Sequence, residues 1–255
     1  MLPTLLHDWL LPDWPQPARV GAVCTTRAGG VSAGRYQSLN LGMHVGDAAH
    51  DVATNRKAFE DAIGVRPVFL EQVHGTHSVN LAGDEPNGIQ ADACATTQRG
   101  VACTIMVADC LPLLLTNEAG TAVAAAHAGW RGLAHGVLEN TLVQFKSLAG
   151  KQGGAVLAWL GPCIGPTAFE VGDEVMAAFV QGDATSAEYF KLHAPGKWMA
   201  DLQGLARLRL AKAGVTRMHG NDGSAPWCTV GNASRFFSHR RDGVSGRLAA
   251  SVWLT

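Results

Sequence analysis

Hydrophobic and polar positions alternate along this chain in two different rhythms. Short apolar or β-branched runs bounded by glycine, proline and polar residues predict β-strands. These strands are expected at 20–26, 68–74, 78–81, 101–107, 155–160 and 248–254. Apolar positions at helical spacing predict four helices, at 47–63, 134–148, 172–180 and 201–214. Asp47 and Asp201 are the expected N-caps, and Gly64, Gly150 and Gly214 the expected stops.

The order of these elements indicates the fold class. Strands outnumber helices, and they do not alternate strictly with them as a doubly wound parallel sheet requires. We therefore expect an α+β fold with mixed β-sheets. No proline-rich linker, charge block or internal repeat divides the sequence, which favours a single domain over residues 1–255.

The stretch VADCLPLLLTNEAGTAVAAAHAGWRG, at 107–132, contains two apolar runs around a polar turn. A hairpin with a four-residue loop at 117–120 pairs Leu113 with Ala124 and places Cys110 directly opposite His127. The thiol and the imidazole would then share one face of the sheet. Pro112 cannot donate to the ladder, and a bulge there would put the two side chains on opposite faces.

Composition limits the class of protein. Hydrophobic residues make up 47% of the 255 residues and charged residues 16%, which is enough for a sizeable core. The net charge of -1 gives no reason to expect nucleic acid or a membrane surface as a partner. The six cysteines form no C-x-x-C pair, which suits reduced thiols. The N-terminal stretch MLPTLLHDWLLPDW lacks the basic region of a signal peptide, and the chain has no long apolar span, so we expect a cytoplasmic protein.

Cys110 and His127 have the ligand chemistry of a zinc site. Catalytic zinc usually takes three protein ligands and leaves one position open. His74, in LEQVHGTH, is the third candidate, and His77 is its competitor. The chain has no H-E-x-x-H, no paired zinc C-x-x-C and no deaminase signature, so the common zinc-enzyme motifs are absent.

Several motifs together resemble the laccase-domain, or multicopper polyphenol oxidase-like, family, which includes the bacterial YfiH proteins and the animal protein FAMIN. They run in family order from about residue 19 to the C-terminus. The motifs are GGVS with SLNLGMHVGD at 29–47, QVHG at 72–75, ADCLPLLL at 108–115, AAAHAGWRG at 124–132, GPCIG at 161–165, and FFSHRRD with GR at 236–247. One position departs from the family, which usually has Tyr where this chain has His239.

The resemblance implies a fold, a metal and an activity. The fold is one αββα-layered domain, with zinc held by His74, Cys110 and His127. The activity is purine nucleoside phosphorolysis of adenosine, inosine, guanosine or methylthioadenosine, with adenosine deamination alongside. The expected partners are thus a small nucleoside and phosphate.

Phosphorolysis needs an anion site, for which arginine is the best side chain. Arg27 is the first candidate, because the backbone NH groups of the following Gly29 and Gly30 could form an anion nest. Arg240 or Arg241 is the second candidate. Asn40 is a candidate ligand for ribose or phosphate, although it could equally be a turn former.

Three other functions compete with this hypothesis. Cys110 as nucleophile and His127 as base would make a thiol hydrolase or amidase acting on cell-wall precursors, in line with the family's link to peptidoglycan editing. A copper polyphenol oxidase is disfavoured because the chain has no H-x-H motif, although copper could occupy the His/Cys site. The third alternative is a nucleotide-binding module with structural zinc.

Overall fold

The computed structural model describes residues 8–150 and 153–255. The first seven residues, which belong to the N-terminal stretch that we do not expect to be a signal peptide, lie outside the described residues. The strands are β1 Val20–Cys24, β2 Arg66–Phe69, β3 Ser78–Asn80, β4 Ala93–Thr96, β5 Val101–Val107, β6 Leu111–Asn117, β7 Val123–Ala128, β8 Val156–Leu160, β9 Glu170–Gly172, β10 Phe190–Ala194, β11 Lys197–Ala200, β12 Arg217–Gly220 and β13 Leu248–Leu254. The helices are α1 Ala49–Ile63, α2 Trp130–His135, α3 Val137–Ala149, α4 Asp173–Val180, α5 Leu202–Lys212 and α6 His239–Asp242.

Two mixed sheets face each other with helices on their outer sides. The first sheet has the order β1-β13-β5-β2, and the second has the order β12-β8-β6-β7-β4-β3. One apolar cluster lies between the sheets, another between the second sheet and α3 and α5, and a third between the first sheet and α1. This is the α+β architecture expected from the pattern, in the layer order α, β, β, α. A small third sheet, β10-β11-β9, completes the fold.

The central strand β6 shows why the sheets stack in this way. Side chains on a strand alternate between its two faces. Leu113 and Leu115 belong to the cluster under the helices, whereas Leu114 belongs to the cluster between the sheets. All seven residues of β6 are buried, as expected for a strand covered on both faces. In β7, Val123 and Ala125 face the other sheet, so His127 points toward the space between the sheets.

The predicted hairpin register is wrong by two positions. β6 pairs with β7 so that Leu113 lies opposite Ala126 and Pro112 opposite His127. The loop after the last pair, Thr116 with Val123, is therefore longer than the four residues predicted. Within this wider turn the side chain of Asn117 accepts a hydrogen bond from the NH of Thr121. Cys110 lies before the first residue of β6, outside the ladder. Because side chains alternate with a period of two, a shift by two positions keeps Cys110 and His127 on the same face of the sheet, and they remain close. They do not lie directly opposite each other.

Other differences have local causes. The predicted helix over 134–148 is two helices, because Gly136 adopts a φ of 101° between α2 and α3. The side chain of Asp47 does not cap α1 and instead accepts hydrogen bonds from Ser32 and Asn40. The strand expected at 68–74 ends at Phe69, which leaves His74 in a loop. The cap predicted at Asp201 is confirmed by its hydrogen bond from the NH of Gly204.

Within residues 8–150 and 153–255, every helix is too short or too polar to cross a lipid bilayer.

Candidate functional site

Three potential metal ligands converge at one end of the space between the two sheets. His74 comes from the β2–β3 loop, Cys110 from the segment that crosses from β5 in the first sheet to β6 in the second, and His127 from β7. Their ligand atoms all lie within 4.8 Å of one another. No other group of three such residues in the described part of the chain comes together in this way.

The loop of His74 is held by one buried carboxylate. Asp92 accepts hydrogen bonds from the backbone NH groups of Val73, His74 and Gly75, at 3.2, 2.9 and 2.6 Å. His74 has a φ of 60°, which is uncommon for a residue other than glycine. Such strained backbone persists only where its surroundings impose it. The three converging NH groups on Asp92 are that constraint.

Asp92 also orients the second imidazole. Its Oδ1 lies 2.8 Å from Nδ1 of His127, and both side chains are buried. Burial alone raises the pKa of the Asp92 carboxyl, but the hydrogen bond and charge of His127 and the loop NH groups outweigh burial, and the pKa is lowered. An ionised Asp92 accepts the Nδ1–H of His127 and leaves Nε2 for a metal.

Cys110 is placed by a second strained residue, Asp109, whose φ is 90°. Oδ1 of Asp109 accepts a hydrogen bond from the hydroxyl of Thr229 at 2.6 Å, and Oδ2 accepts one from the NH of Arg240 at 2.6 Å. The backbone carbonyl of Asp109 accepts a hydrogen bond from Ile164. The turn before β6 is thereby fastened to three separate segments.

The thiol of Cys110 and the imidazole of His127 shift each other's pKa. Burial opposes ionisation of the Cys110 thiol, but the charge and hydrogen bonds of His127 and His74 win, and its pKa falls to about 6. Burial likewise lowers the pKa of His127, but the charge of Cys110 and the hydrogen bond of Asp92 raise it to about 9. The site therefore favours a thiolate, which is the form of cysteine that binds metals.

The donor set fits a zinc-type ion. Sγ of Cys110 lies 3.6 Å from Nε2 of His74. A tetrahedral ion with Zn–S of about 2.3 Å and Zn–N of about 2.0–2.1 Å places sulfur and nitrogen ligands about 3.6 Å apart. His127 is buried, Cys110 is half-buried and His74 is exposed. The three side chains would thus hold an ion from one side and leave its other side free for substrate or water.

The three ligands line a cavity of about 350 Å³. This volume lies within the range of about 300–1,000 Å³ usual for small-molecule sites. Apolar and aromatic side chains form much of its wall, among them Ile164, Phe169 and Trp130. Polar and basic side chains also reach it: His44, Gln72, Asp109, His239, Arg240 and Arg247.

Of the predicted substrate-binding residues, the cavity includes only Arg240. Arg27 lies outside it and donates hydrogen bonds to the carbonyls of Gln37 and Ala233. Arg241 binds the carbonyls of Thr229 and Phe236 together with the carboxylate of Asp242, which leaves its guanidinium occupied. Arg27 and Arg241 therefore both bind groups of the protein itself.

Asn40 and His77 also lie away from the cavity wall. Asn40 is buried, and it exchanges hydrogen bonds with Gly42, Asp47 and the NH of Arg247. His77, the competitor of His74, uses its carbonyl to accept the NH groups of Asp92 and Ala93 and is absent from the ligand cluster.

Sequence reasoning missed Asp92, His44 and Arg247. A lone Asp in the apolar stretch ADACA at 91–95 was the available signal for Asp92, but β4, which follows it, was not predicted either. Arg247 stood within the quoted GR motif without a role. Nothing in the spacing of these residues shows that they meet at the site, because the contacts join segments far apart in the chain.

Comparison with known proteins agrees with the sequence motifs. The family described as multi-copper polyphenol oxidoreductase laccase matches residues 21–255. A protein named purine nucleoside phosphorylase from Pseudomonas aeruginosa is 50% identical over 98% of this chain and 99% of its own length. Purine nucleoside phosphorylase YfiH of Escherichia coli is 48% identical over 96% of this chain and 98% of its own.

Solved structures share the fold. The crystal structure of Neisseria meningitidis protein NMB0706 superposes with a TM-score of 0.90 at 46% identity, covering 97% of this chain and 99% of that one. The structure of YlmD from Geobacillus stearothermophilus gives a TM-score of 0.85 at 29% identity, covering 99% and 98%.

Proposed function

This chain belongs to the family described as multi-copper polyphenol oxidoreductase laccase, and from its similarity to members named purine nucleoside phosphorylase we propose that it is itself a zinc-dependent purine nucleoside phosphorylase. The observation that carries the proposal is the cluster of His74, Cys110 and His127 at the wall of a cavity large enough for a small molecule.

The reaction requires a nucleoside and phosphate to meet in this cavity. An oxygen of phosphate forms a bond to C1′ of the ribose while the C1′–N9 bond breaks. The electron pair of the broken bond stays on the purine, which then takes up a proton, and the products are free base and ribose 1-phosphate. Trp130 and Phe169 supply aromatic side chains to the cavity wall, against which a purine can pack. Inosine, guanosine, adenosine and methylthioadenosine all present such a base.

The metal proposed for the site is zinc. Imidazole and thiolate are both zinc ligands, and three protein ligands with an open side are typical of catalytic zinc. When bound, zinc acts as a Lewis acid and lowers the pKa of water toward neutrality. Copper binds the same donors more tightly, but multicopper oxidation needs several ligand clusters. Residues 8–150 and 153–255 contain one such cluster.

The same site supports hydrolytic deamination of adenosine as a second activity. Water adds at C6 of the purine, the 6-amino group leaves as ammonia, and inosine remains. The reaction needs water activated near neutral pH, which is the chemistry that a zinc site supplies.

The test is a preparation of measured metal content, incubated with inosine and phosphate. Hypoxanthine and ribose 1-phosphate are expected in equal amounts, only in the presence of phosphate, and in proportion to bound zinc. Cys110→Ala should lose both zinc and activity. A zinc-loaded wild type that leaves every purine nucleoside intact would refute the proposed function.

A metal-free thiol hydrolase is the second candidate, favoured by the thiolate of Cys110 beside a protonated His127. The two candidates respond in opposite ways to two treatments. Removing zinc with a chelator abolishes the zinc mechanism and spares the dyad. Alkylating the thiol of the chelated protein abolishes the dyad, which would show as loss of any peptide or amide hydrolysis retained without metal.

A further inference from the structure

Arg247 is a cavity residue with unused hydrogen-bonding capacity. Its Nη1 donates to the carbonyls of Ser245 and Gly246, at 2.9 and 3.1 Å. Among residues 8–150 and 153–255, no partner bonds to its Nε or Nη2, and no carboxylate forms an ion pair with it. One edge of the guanidinium, carrying two parallel NH groups, is therefore available to a ligand.

The charges of Cys110 and Asp109 act on Arg247, but neither group pairs with its guanidinium directly. The nearby carboxylate of Asp109 is already used by Thr229 and by the NH of Arg240. His44 lies close by, where burial, and then the charges of Arg247 and Arg56, lower its pKa. Arg247 thus supplies the positive charge at this part of the wall, and the lowered pKa of His44 favours a neutral imidazole beside it. An arginine without a directly paired carboxylate disfavours further cations and favours an anion.

The position of Arg247 is held by the SLNLG loop. The NH of Arg247 donates to Oδ1 of Asn40 at 2.9 Å, and its carbonyl accepts the NH of Leu41 at 3.1 Å. A Cβ at Gly42 would lie 2.7 Å from Cγ of Arg247, so the side-chain stem packs directly on that glycine. The side chain of Arg247 is therefore held in position before a ligand binds, which reduces the conformational entropy lost on binding.

We propose that Arg247, assisted by His44, binds the inorganic phosphate consumed in the reaction; this inference rests on the proposed function. A guanidinium edge with free Nε and Nη2 matches two oxygens of a phosphate in a bidentate arrangement. Arg247 is near enough to Cys110 for their charges to interact, so a phosphate held there lies within the same cavity as the ligand cluster. Arg240 remains outside this assignment because its side chain is exposed and its guanidinium lies over the ring of Phe169, whereas Arg247 is half-buried.

The test compares Arg247→Met and Arg247→Lys with a matched control, Arg66→Met. Arg66 also donates to two loop carbonyls, those of Glu85 and Gly83, but lies outside the cavity. The measurement is steady-state phosphorolysis of inosine with phosphate and inosine varied separately. Arg247→Met should raise KM for phosphate about tenfold or more and change KM for inosine much less. Arg247→Lys should recover part of the loss, and the control should match the wild type.

A second measurement does not depend on turnover. The Tm of zinc-loaded protein is followed as inorganic phosphate is added, since a ligand that binds the folded state raises Tm. The wild type and Arg66→Met should show the rise, and Arg247→Met should not. An unchanged KM for phosphate and an unchanged rise in Tm for Arg247→Met would overturn this inference while leaving phosphorolysis intact. Absence of phosphorolysis in the wild type would refute the proposed function, and the Tm titration would still decide whether Arg247 binds phosphate.

Discussion

Asp92 and His127 are joined by a buried contact of 2.8 Å between Oδ1 and Nδ1. The same carboxylate accepts the backbone NH groups of the loop that carries His74. One side chain therefore sets the direction of one imidazole and the backbone of the other. The geometry of the ligand cluster therefore depends on Asp92, which lies outside the three sequence motifs that contain the ligands.

Replacing Asp92 with Asn should weaken zinc binding about 10–100-fold, the usual effect of losing a hydrogen-bond partner of a metal-ligating histidine. The amide is the same size, but its NH₂ group cannot accept the loop NH groups. Zinc affinity would be measured by competition with a chromogenic chelator, and Asp92→Glu would serve as the partial rescue. Wild-type affinity in Asp92→Asn would show that the contact does not position the site.

Adding one methyl group at Gly129 should disturb the cluster without removing a ligand. A Cβ there would lie 2.5 Å from Cδ2 of His74 and 3.1 Å from Sγ of Cys110, so the imidazole must move. Gly129→Ala should lower zinc affinity about tenfold or more with little change in the stability of the metal-free protein. Gly182→Ala is the control, because its nearest neighbour would be 3.7 Å away. Equal zinc affinity in both variants would contradict the geometry described for the site.

Asn40→Ala should destabilise the fold more than it weakens nucleoside binding. The buried amide bonds Gly42, Asp47 and the NH of Arg247, and truncation leaves several of these groups unsatisfied. The free energy of unfolding, from urea titration, should fall by about 2–4 kcal/mol. Asn140→Ala, at an exposed residue with one bond to the carbonyl of Thr76, should change it little. Unchanged stability with a raised KM for nucleoside would restore the direct ligand role expected from the sequence.

Asp201 predicts a pH dependence of stability that is independent of the metal. Burial raises its pKa above the ordinary value of 3.8, against the smaller effects of the Gly204 NH and Arg207. The folded state therefore holds this proton more tightly than the unfolded state. The stability from Asp201 is greatest below the unfolded pKa and is lost as pH rises through the folded pKa.

Asn at position 201 keeps an acceptor for the NH of Gly204 and cannot ionise. The free energy of unfolding of Asp201→Asn should therefore increase relative to that of the wild type as pH rises from about 3 to 7. Denaturant titrations at several pH values check this difference. Parallel profiles would mean that the carboxyl titrates alike in both states.

Local patterns predicted much of the framework. β5 and β13 were predicted with the bounds found, because both are apolar runs with clear ends. The end of α1 at Gly64 and the cap at Asp201 follow from single-residue backbone and side-chain preferences. The strands β9–β12 and β4 were missed because each has only three to five residues, and β9, β12 and β4 pair with strands more than twenty residues away.

For the site as well, the sequence and the tertiary structure determine different features. The sequence by itself determined the ligand types, since a thiol and imidazoles at the ends of apolar runs are visible in a linear pattern. Only the tertiary structure placed Asp92 against His127 and Arg247 in the cavity wall, and placed Arg27 outside that wall. Hydrogen bonding and charge depend on distances through space, and those distances were set by the stacking of two sheets rather than by spacing along the chain.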